Sequence, residues 1–434
     1  MKPNSSPATL LFVHGSNDLY GADVVLLELL KRLDRRQFEP FVILPRDAQH
    51  IDRLSQRLDE ERISYRFIRM AVIRRKYFSP FGLLAFALDF LVGVVALMYI
   101  IWRLRAVLVH SNTMAVPCGA LAARLMGRPS IWHIHEIVTR PAWARRLLHP
   151  VAVALSTQVV AVSQAVQAHI LADCPSAPHK IRVIHNGVNV AGFDRPGNGE
   201  EIRSQYRIPE SAVLVGMIGK VCRWKGQLLF VEAAKLVTRE RPEVRFLAVG
   251  GVFDDEVHFM NHFREAAAEA GLADTFVIAD YRSDVPDVLR SLDLFILPST
   301  EPDPFPTVVL EAMAAAKPVI ACHHGGAPEM VIEGETGLLF PPGCAEPLAA
   351  AILRLVDDRI LARRMGEAGR KRAYAHFQAT RYVADFQALY GECLSHAGGH
   401  LNGLDDQRGP AQHNLISPDS GGPAMSFREA GKPE

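Results

Sequence analysis

The chain has 434 residues, 49% of them hydrophobic and 22% charged, and its 48 Lys and Arg against 47 Asp and Glu give a formal net charge of +1. A length of that order predicts two domains with ample apolar material for both cores. So balanced a charge argues against a polyanion as the main partner, and no nucleic acid is expected.

Six cysteines, at 118, 174, 222, 322, 344 and 393, show no CxxC spacing. They read as buried apolar residues in a reducing compartment, not as a disulfide framework or a zinc site. The start, Met1 to Thr9, is short and polar, so no secretory signal is expected and the chain is assigned to the cytoplasm.

Apolar strand-like runs alternate with helical patterns along the whole chain. In the first half, strands are expected at 10–14, 41–44, 64–68, 106–110, 130–135, 158–162 and 181–184, with helices such as 22–33 and 114–126 between them. In the second half, strands are expected at 213–218, 245–249, 276–279, 292–297, 319–321 and 337–340, with helices at 227–238, 257–270 and 307–316. Continuous apolar strands separated by helices predict parallel sheets covered on both faces. The rhythm breaks at 189–201, a stretch rich in Gly, Pro, Asp and Asn that reads as a linker. The expected division is therefore 1–195 for a first doubly wound domain and 205–372 for a second. Helices at 373–395 follow, then a tail at 396–434 whose Gly, Pro, Asp and Ser predict disorder.

Across 80–102 only Asp89 is charged, over a length that could cross a bilayer. A crossing would put the strands at 64–68 and 106–110 on opposite sides of the membrane, although both belong in one sheet. A helix that covers the sheet, or rests in the membrane interface, keeps the domain whole and is the favoured reading. Arg74-Arg75-Lys76, Arg103 with Arg105, and Arg145-Arg146 are local basic clusters that either face solvent or meet an anionic surface.

Four loops at expected carboxyl ends of strands carry the chemistry, and doubly wound sheets bind ligands at that edge. The first is His14-Gly15-Ser16-Asn17-Asp18-Leu19-Tyr20-Gly21, where Gly21 opens a helix and permits close approach of a ligand. It is not a GxGxxG dinucleotide motif. The second is Trp132-His133-Ile134-His135-Glu136. Alternation puts both histidines on one side, and His135, nearest the edge, is either a structural histidine or a ligand contact. Two histidines with no third ligand at suitable spacing do not make a metal site, and no metal is expected.

The third loop, Gly219-Lys220-Val221-Cys222-Arg223-Trp224-Lys225-Gly226, lacks P-loop spacing, but two lysines five apart can clamp a diphosphate and neutralise a departing phosphate. The fourth, His323-His324-Gly325-Gly326-Ala327-Pro328-Glu329, offers backbone N–H groups to an anion. Between them lies Pro298–Pro318, a strand end, a Pro-rich turn with Asp303 on its mobile side, and a helix opening at Thr307. The free N–H groups of Thr307 and Val308 suit a phosphate there, and Glu311, one turn inside, can accept ribose hydroxyls.

Taken together these residues resemble the retaining, sugar-nucleotide-dependent glycosyltransferases of family four, which have the GT-B fold of two facing Rossmann-like domains. The motifs are Gly219-Lys220…Lys225-Gly226, Asp303…Glu311, Gly325-Gly326-Ala327-Pro328-Glu329, Thr336-Gly337-Leu338-Leu339 and Asn186-Gly187-Val188-Asn189, within a resemblance covering 8–395. The resemblance implies α/β architecture with an interdomain cleft and a UDP- or GDP-sugar as donor, with no cofactor and no obligatory metal. The sugar would pass with retention to a glycan or lipid-linked acceptor, at the inner face of the plasma membrane if 80–102 touches lipid. It implies Glu311 on the ribose, and Lys220 and Lys225 with Thr307 and Val308 on the diphosphate. Asp303 and His135 would lie at the sugar, and Gly21, Gly219 and Gly326 would be close to the nucleotide.

Three departures from the family pattern stand out: Lys220 for Arg, Asp303 for Glu, and Pro306 for Gly. Glu301 is a rival for the role of Asp303. Two other functions stay open at this point: a non-catalytic sugar-nucleotide-binding partner, and an epimerase or hydrolase on the same fold.

Overall fold

The computed structural model describes residues 6–401 except 50, 75, 76, 78 and 253–255, with the backbone alone described at 397–401. The first domain runs β1 (Ala8–His14), α1 (Gly21–Arg32), β2 (Phe38–Pro45), α2 (Arg53–Glu60), β3 (Ser64–Ile68), α3 (Pro80–Leu104), β4 (Leu108–Asn112), α4 (Pro117–Leu125), β5 (Ser130–Ile134), α5 (Ala142–Leu155), β6 (Gln158–Ala161), α6 (Gln164–Leu171) and β7 (Ile181–Val183). All seven strands are parallel, in the order β3-β2-β1-β4-β5-β6-β7. Leu10, Leu11, Phe12 and Val13 of β1 are fully buried, which is why this strand reads as a continuous apolar run and not as an alternation.

The second domain follows as α7 (Gly199–Gln205), β8 (Leu214–Ile218), α8 (Gln227–Glu240), β9 (Arg245–Val249), α9 (Val257–Glu269), β10 (Phe276–Ala279), α10 (Val285–Ser291), β11 (Leu294–Leu297), α11 (Thr307–Ala314), β12 (Val319–Cys322), α12 (Ala327–Met330), β13 (Gly337–Phe340), α13 (Ala345–Asp357) and α14 (Arg359–His376). Its six parallel strands lie in the order β10-β9-β8-β11-β12-β13. In both sheets the order reverses beside the first strand of the domain, the place where such sheets leave a crevice at their carboxyl edge.

The helix α15 (Ala379–Leu401) then leaves the second domain. Its Tyr382, Val383, Phe386, Leu389 and Tyr390 are buried in one cluster with Leu10, Phe12, Leu26 and Leu30 of the first domain. An isolated bridge between Val188 and Gln378 marks where the chain crosses back.

The expected boundaries shift in three places. The stretch read as a linker is held to the second domain, because Arg290 Nη2 donates to Gly192 O at 3.0 Å and to Arg195 O at 2.9 Å. The second domain begins earlier than 205: Arg203 of α7 bonds Ser291 O at 2.8 Å and Asp293 Oδ2 at 2.6 Å. Residue 373 falls inside α14, and α15 continues to Leu401, so the expected tail starts too early; its remainder, 402–434, lies outside the described residues. Among the cysteines, Cys344 is exposed where a buried residue was expected, and the other five are buried and free.

The apolar segment is the helix α3, 25 residues or about 37 Å long. Ser79 caps its start by accepting from Gly82 N, and Pro80 occupies the first turn, where a missing N–H costs nothing. Gly93 lets it lie directly on β3's continuation, since a Cβ there would stand 2.8 Å from that of Met70. Its neighbours β3 and β4 belong to one sheet, and its Val94, Leu97, Ile100 and Ile101 are buried in the cluster beneath that sheet with Leu11, Val13 and Val109. Among the described residues it alone is long and apolar enough to cross a membrane.

Candidate active site

The second domain supplies the half built around α11. Pro306 precedes Thr307 with extended backbone and no N–H of its own, and the first N–H groups of a helix have no intrahelical acceptor, so those of Thr307 and Val308 face outward at its positive end. One turn on, the half-buried Glu311 carboxylate makes no hydrogen bond or ion pair with another described residue. Burial, with the Glu28 carboxylate as a second cause, pushes its pKa up to about 7. A carboxylate in that state lacks donors, and hydroxyl groups of a ligand would supply them.

Asp303 is buried, not on a mobile side of the turn as expected. Its Oδ2 accepts from Lys225 Nζ at 2.6 Å and from Ser299 Oγ at 3.4 Å. The glycine pair holds this turn from behind. Gly325 has φ +58°, and a Cβ on it would stand 2.1 Å from Asp303 O; a Cβ on Gly326 would stand 2.2 Å from Pro304 O. Gly326 N donates to Asp303 O at 2.8 Å, so this N–H is already engaged and the expectation that it faces an anion is corrected. The rival Glu301 pairs with Arg223, away from Lys225. Lys220 Nζ lies 2.6 Å from Glu256 Oε2, so each expected phosphate lysine has a carboxylate beside it. Gly219 faces open space at its Cβ position.

The first domain supplies a buried polar row. His14 ends β1, Asn112 ends β4 and His135 follows β5, three adjacent strands of the sheet. Asp23, in the first turn of α1, accepts from His14 Nε2 at 2.7 Å. Asn112 Nδ2 meets His14 Nδ1 at 3.0 Å, and Asn112 Oδ1 meets His135 Nε2 at 3.0 Å. His133 and His135 do share one side of the strand, with Nδ1 of the first 3.2 Å from Nε2 of the second. Burial lowers the His135 pKa to about 3, with Asp23 opposing, so this ring is neutral at physiological pH. Burial also lifts Glu136 to about 7, against the N–H groups of Met114 and His135 that it accepts. Gly21 opens α1 at the same edge, exposed, with nothing within 4 Å of a Cβ placed on it.

The two halves face each other. Asp18 of the β1–α1 loop is pushed up by burial and by Asp23, and Lys220 of the other domain is among the cations opposing that shift. The guanidinium of Arg53 lies 5.5 Å from the ring centroid of Tyr281 across the cleft. Beside it the domains are joined directly. Glu329 accepts from Gln164 N at 2.8 Å and Ala165 N at 2.9 Å, which caps α6 from the other domain, and from His185 Nε2 at 2.8 Å. Phe305, next to Asp303, stacks on the His185 ring at 4.9 Å.

Sequence reasoning did not find His14, Asp23, Asn112 or the bonding of Glu329. A polar His or Asn closing an otherwise apolar buried strand was the available signal, because such a group needs a partner. Among the described residues no group of three or more His, Cys, Asp or Glu side chains could hold a metal.

Two family models match the chain: Glycosyltransferase Family 4 over 20–191 and Glycosyl transferases group 1 over 198–372. The alpha-maltose-1-phosphate synthase of Mycobacterium tuberculosis is 30% identical over 311 residues, spanning 64% of this chain and 77% of that one. The lipopolysaccharide core biosynthesis mannosyltransferase LpcC of Rhizobium leguminosarum bv. viciae is 31% identical over 220 residues, spanning 50% and 60%. In fold, Anabaena HepE in complex with UDP superposes with a TM-score of 0.76 over 88% of this chain and all of that one, at 24% identity. The matched regions meet near the boundary between the two sheets, and the facing loops belong to both. The chain belongs to the family four, group 1 glycosyltransferases and has their GT-B fold.

Proposed function

We propose that this glycosyltransferase moves a sugar, with retention and without a metal, from a UDP- or GDP-sugar to a glycan or lipid-linked acceptor in cell-surface polysaccharide or glycolipid biosynthesis. The observation that carries the reading is the Glu311 carboxylate, without a partner among the described residues, one turn inside a helix whose first N–H groups have no intrahelical acceptor. Ribose hydroxyls would satisfy the carboxylate while Thr307, Val308, Lys220 and Lys225 hold the diphosphate, and the helix end and two ammonium groups would take up charge on the leaving phosphate. Asp303 and His135 would lie against the transferred sugar, with Gly21 and Gly219 leaving room for the donor. HepE, with the same fold, has been captured with UDP and with UDP-glucose, and LpcC is a mannosyltransferase of lipopolysaccharide core synthesis; both are consistent with this donor and acceptor class.

A membrane acceptor agrees with the surface of α3. Phe81, Leu84, Leu91, Val95 and Trp102 are 57–88% exposed, and Leu125 of α4 and Trp143 and Leu147 of α5 are exposed as well. The one acidic residue of the helix, Asp89, is turned to the domain by Arg69 at 2.6 Å and Tyr77 at 3.0 Å. Arg103 and Arg105 at the end of α3, Arg124 next to Leu125 and Arg146 next to Leu147 are exposed. An apolar face edged by arginines fits an anionic bilayer, the cytoplasmic leaflet, with the helix lying in the interface.

The test incubates the purified protein with a panel of sugar nucleotides and membrane extract and follows nucleoside diphosphate. Release that depends on acceptor supports transfer. Release without acceptor indicates a hydrolase, and binding without release indicates a non-catalytic partner.

A further inference from the structure

In the row Asp23, His14, Asn112, His135 the orientation of the Asn112 amide orders the protons. Asp23 is buried, which alone would raise its pKa, but the hydrogen bonds from His14, Ser16 and the Tyr20 N–H hold it below the usual carboxylate range. An ionised Asp23 accepts from both its side-chain neighbours, so His14 Nε2 carries a hydrogen. The Asn112 NH2 faces His14 Nδ1, and an NH2 only donates, so Nδ1 is the accepting nitrogen of that ring. That leaves Asn112 Oδ1 facing His135 Nε2, with His133 Nδ1 beside the same atom at 3.2 Å. An amide oxygen only accepts, so His135 Nε2 carries the hydrogen. His135 Nδ1 is left with a lone pair and makes no hydrogen bond to a described residue.

We propose that Asp23, His14 and Asn112 are positioning residues that fix His135 as its Nε2–H tautomer, so that Nδ1 serves as a hydrogen-bond acceptor for a sugar hydroxyl. The chain depends on direction, because an amide has a donor on one end and an acceptor on the other. Asn112, 1% exposed, therefore passes the orientation set by the Asp23 carboxylate from one histidine to the next without moving a proton. Its neutral state at His135 is the one that can accept. The inference rests on the placement of His135 at the transferred sugar.

The experiment is long-range 1H–15N NMR on the full-length protein labelled with 15N-histidine, the His135 signals being identified by their loss in His135→Ala. The expected wild-type pattern at neutral pH is a protonated Nε2 and an unprotonated Nδ1. An Nδ1–H tautomer or an imidazolium would overturn the proposal with no other variant needed. Asn112→Leu is expected to give mixed tautomers and to lower kcat roughly 10–100-fold, the range seen for partners that orient metal-bound histidines, while donor KM changes little. Asn112→Asp keeps an acceptor toward His135 and should keep its tautomer. An unchanged tautomer in a folded Asn112→Leu overturns the assignment. Full turnover in His135→Ala would instead sink the placement of His135 at the sugar and leave the tautomer result standing, so the two failures can be told apart.

Discussion

Lys225 Nζ lies 2.6 Å from Asp303 Oδ2, across 78 residues of sequence, and joins the loop after β8 to the turn before α11. Each was assigned a separate role on a donor, the lysine on phosphate and the aspartate on sugar. In the structure they pair with each other, as a carboxylate 4% exposed requires. Lys225 also lies over the Trp224 ring at 4.5 Å, so its stem is held as well as its charge.

Removing one member strands the other. Lys225→Met should destabilise the fold by roughly 3 kcal/mol, the lower end for breaking a buried pair, because the lysine is partly exposed. The double variant Lys225→Met with Asp303→Leu should recover most of that loss and have no transferase activity. Urea unfolding of the two single variants and the double variant measures the coupling, and additive effects would rule the pair out as a stabilising unit.

Glu311 is predicted to trade stability for binding. Its folded pKa, about 7, lies above the ordinary value of 4.5, so the folded state binds more protons than the unfolded state between those pH values. Its contribution is therefore favourable at low pH and lost as pH rises through about 7. Glu311→Gln should raise the Tm at pH 8, by an amount of order 1–3 kcal/mol in stability, and leave it unchanged near pH 4. The same variant, and Glu311→Ala, should weaken nucleotide binding, while wild-type affinity falls as pH drops below about 7 and the acceptor carboxylate is lost. Asp303→Asn should mainly lower turnover. Isothermal titration across pH, beside steady-state kinetics, checks this division, and equal loss of affinity in both aspartate and glutamate variants would remove it.

The legible parts were those written locally. The strands at 245–249, 276–279 and 337–340 coincide with β9, β10 and β13, because a buried parallel strand is an unbroken apolar run bounded by turn residues. The Glu311 helix was legible for the same reason: its Pro-rich start and apolar stripe lie within one stretch. What was not legible depends on residues brought together by topology. His14, Asn112 and His135 are neighbours only because β1, β4 and β5 are adjacent in the sheet. Gly326 looked like an anion-binding glycine, yet its N–H and its missing Cβ are both used by the Asp303–Pro304 backbone. Composition shows that a glycine is needed there, but not what comes close to it.

Glu329 is predicted to couple the domains. It caps α6 through two backbone N–H groups and holds His185, whose ring stacks on Phe305 two residues from Asp303. Charge-assisted bonds of this kind are worth about 1.5–3 kcal/mol each to a buried donor, less where partly exposed. Glu329→Gln should loosen the interdomain contact, giving a larger radius of gyration by small-angle X-ray scattering and a lower kcat. The isolated second domain's nucleotide site should be little affected, so nucleotide Kd should change less than threefold. A compact variant with normal kcat would show that the contact is only a surface cap.

The α3 surface gives the last prediction. A peripheral helix should bring the protein to floating vesicles that contain anionic lipid, and less so to zwitterionic ones, with salt weakening the difference because the arginine contribution is about 1 kcal/mol per residue near the surface. Leu84→Asp with Val95→Asp places two charges on the exposed face without touching Leu97 or Ile101, which are buried. It should abolish flotation and leave the Tm within about 1 kcal/mol of stability, as surface changes do. Activity on a soluble acceptor analogue should persist while activity on vesicle-borne acceptor falls. Retention in the membrane pellet after an alkaline carbonate wash would contradict the interfacial placement, since only a crossing helix survives it, and a crossing would separate β3 from β4. Dimerisation in solution through this face with no vesicle binding would assign the apolar surface to a second copy of the chain.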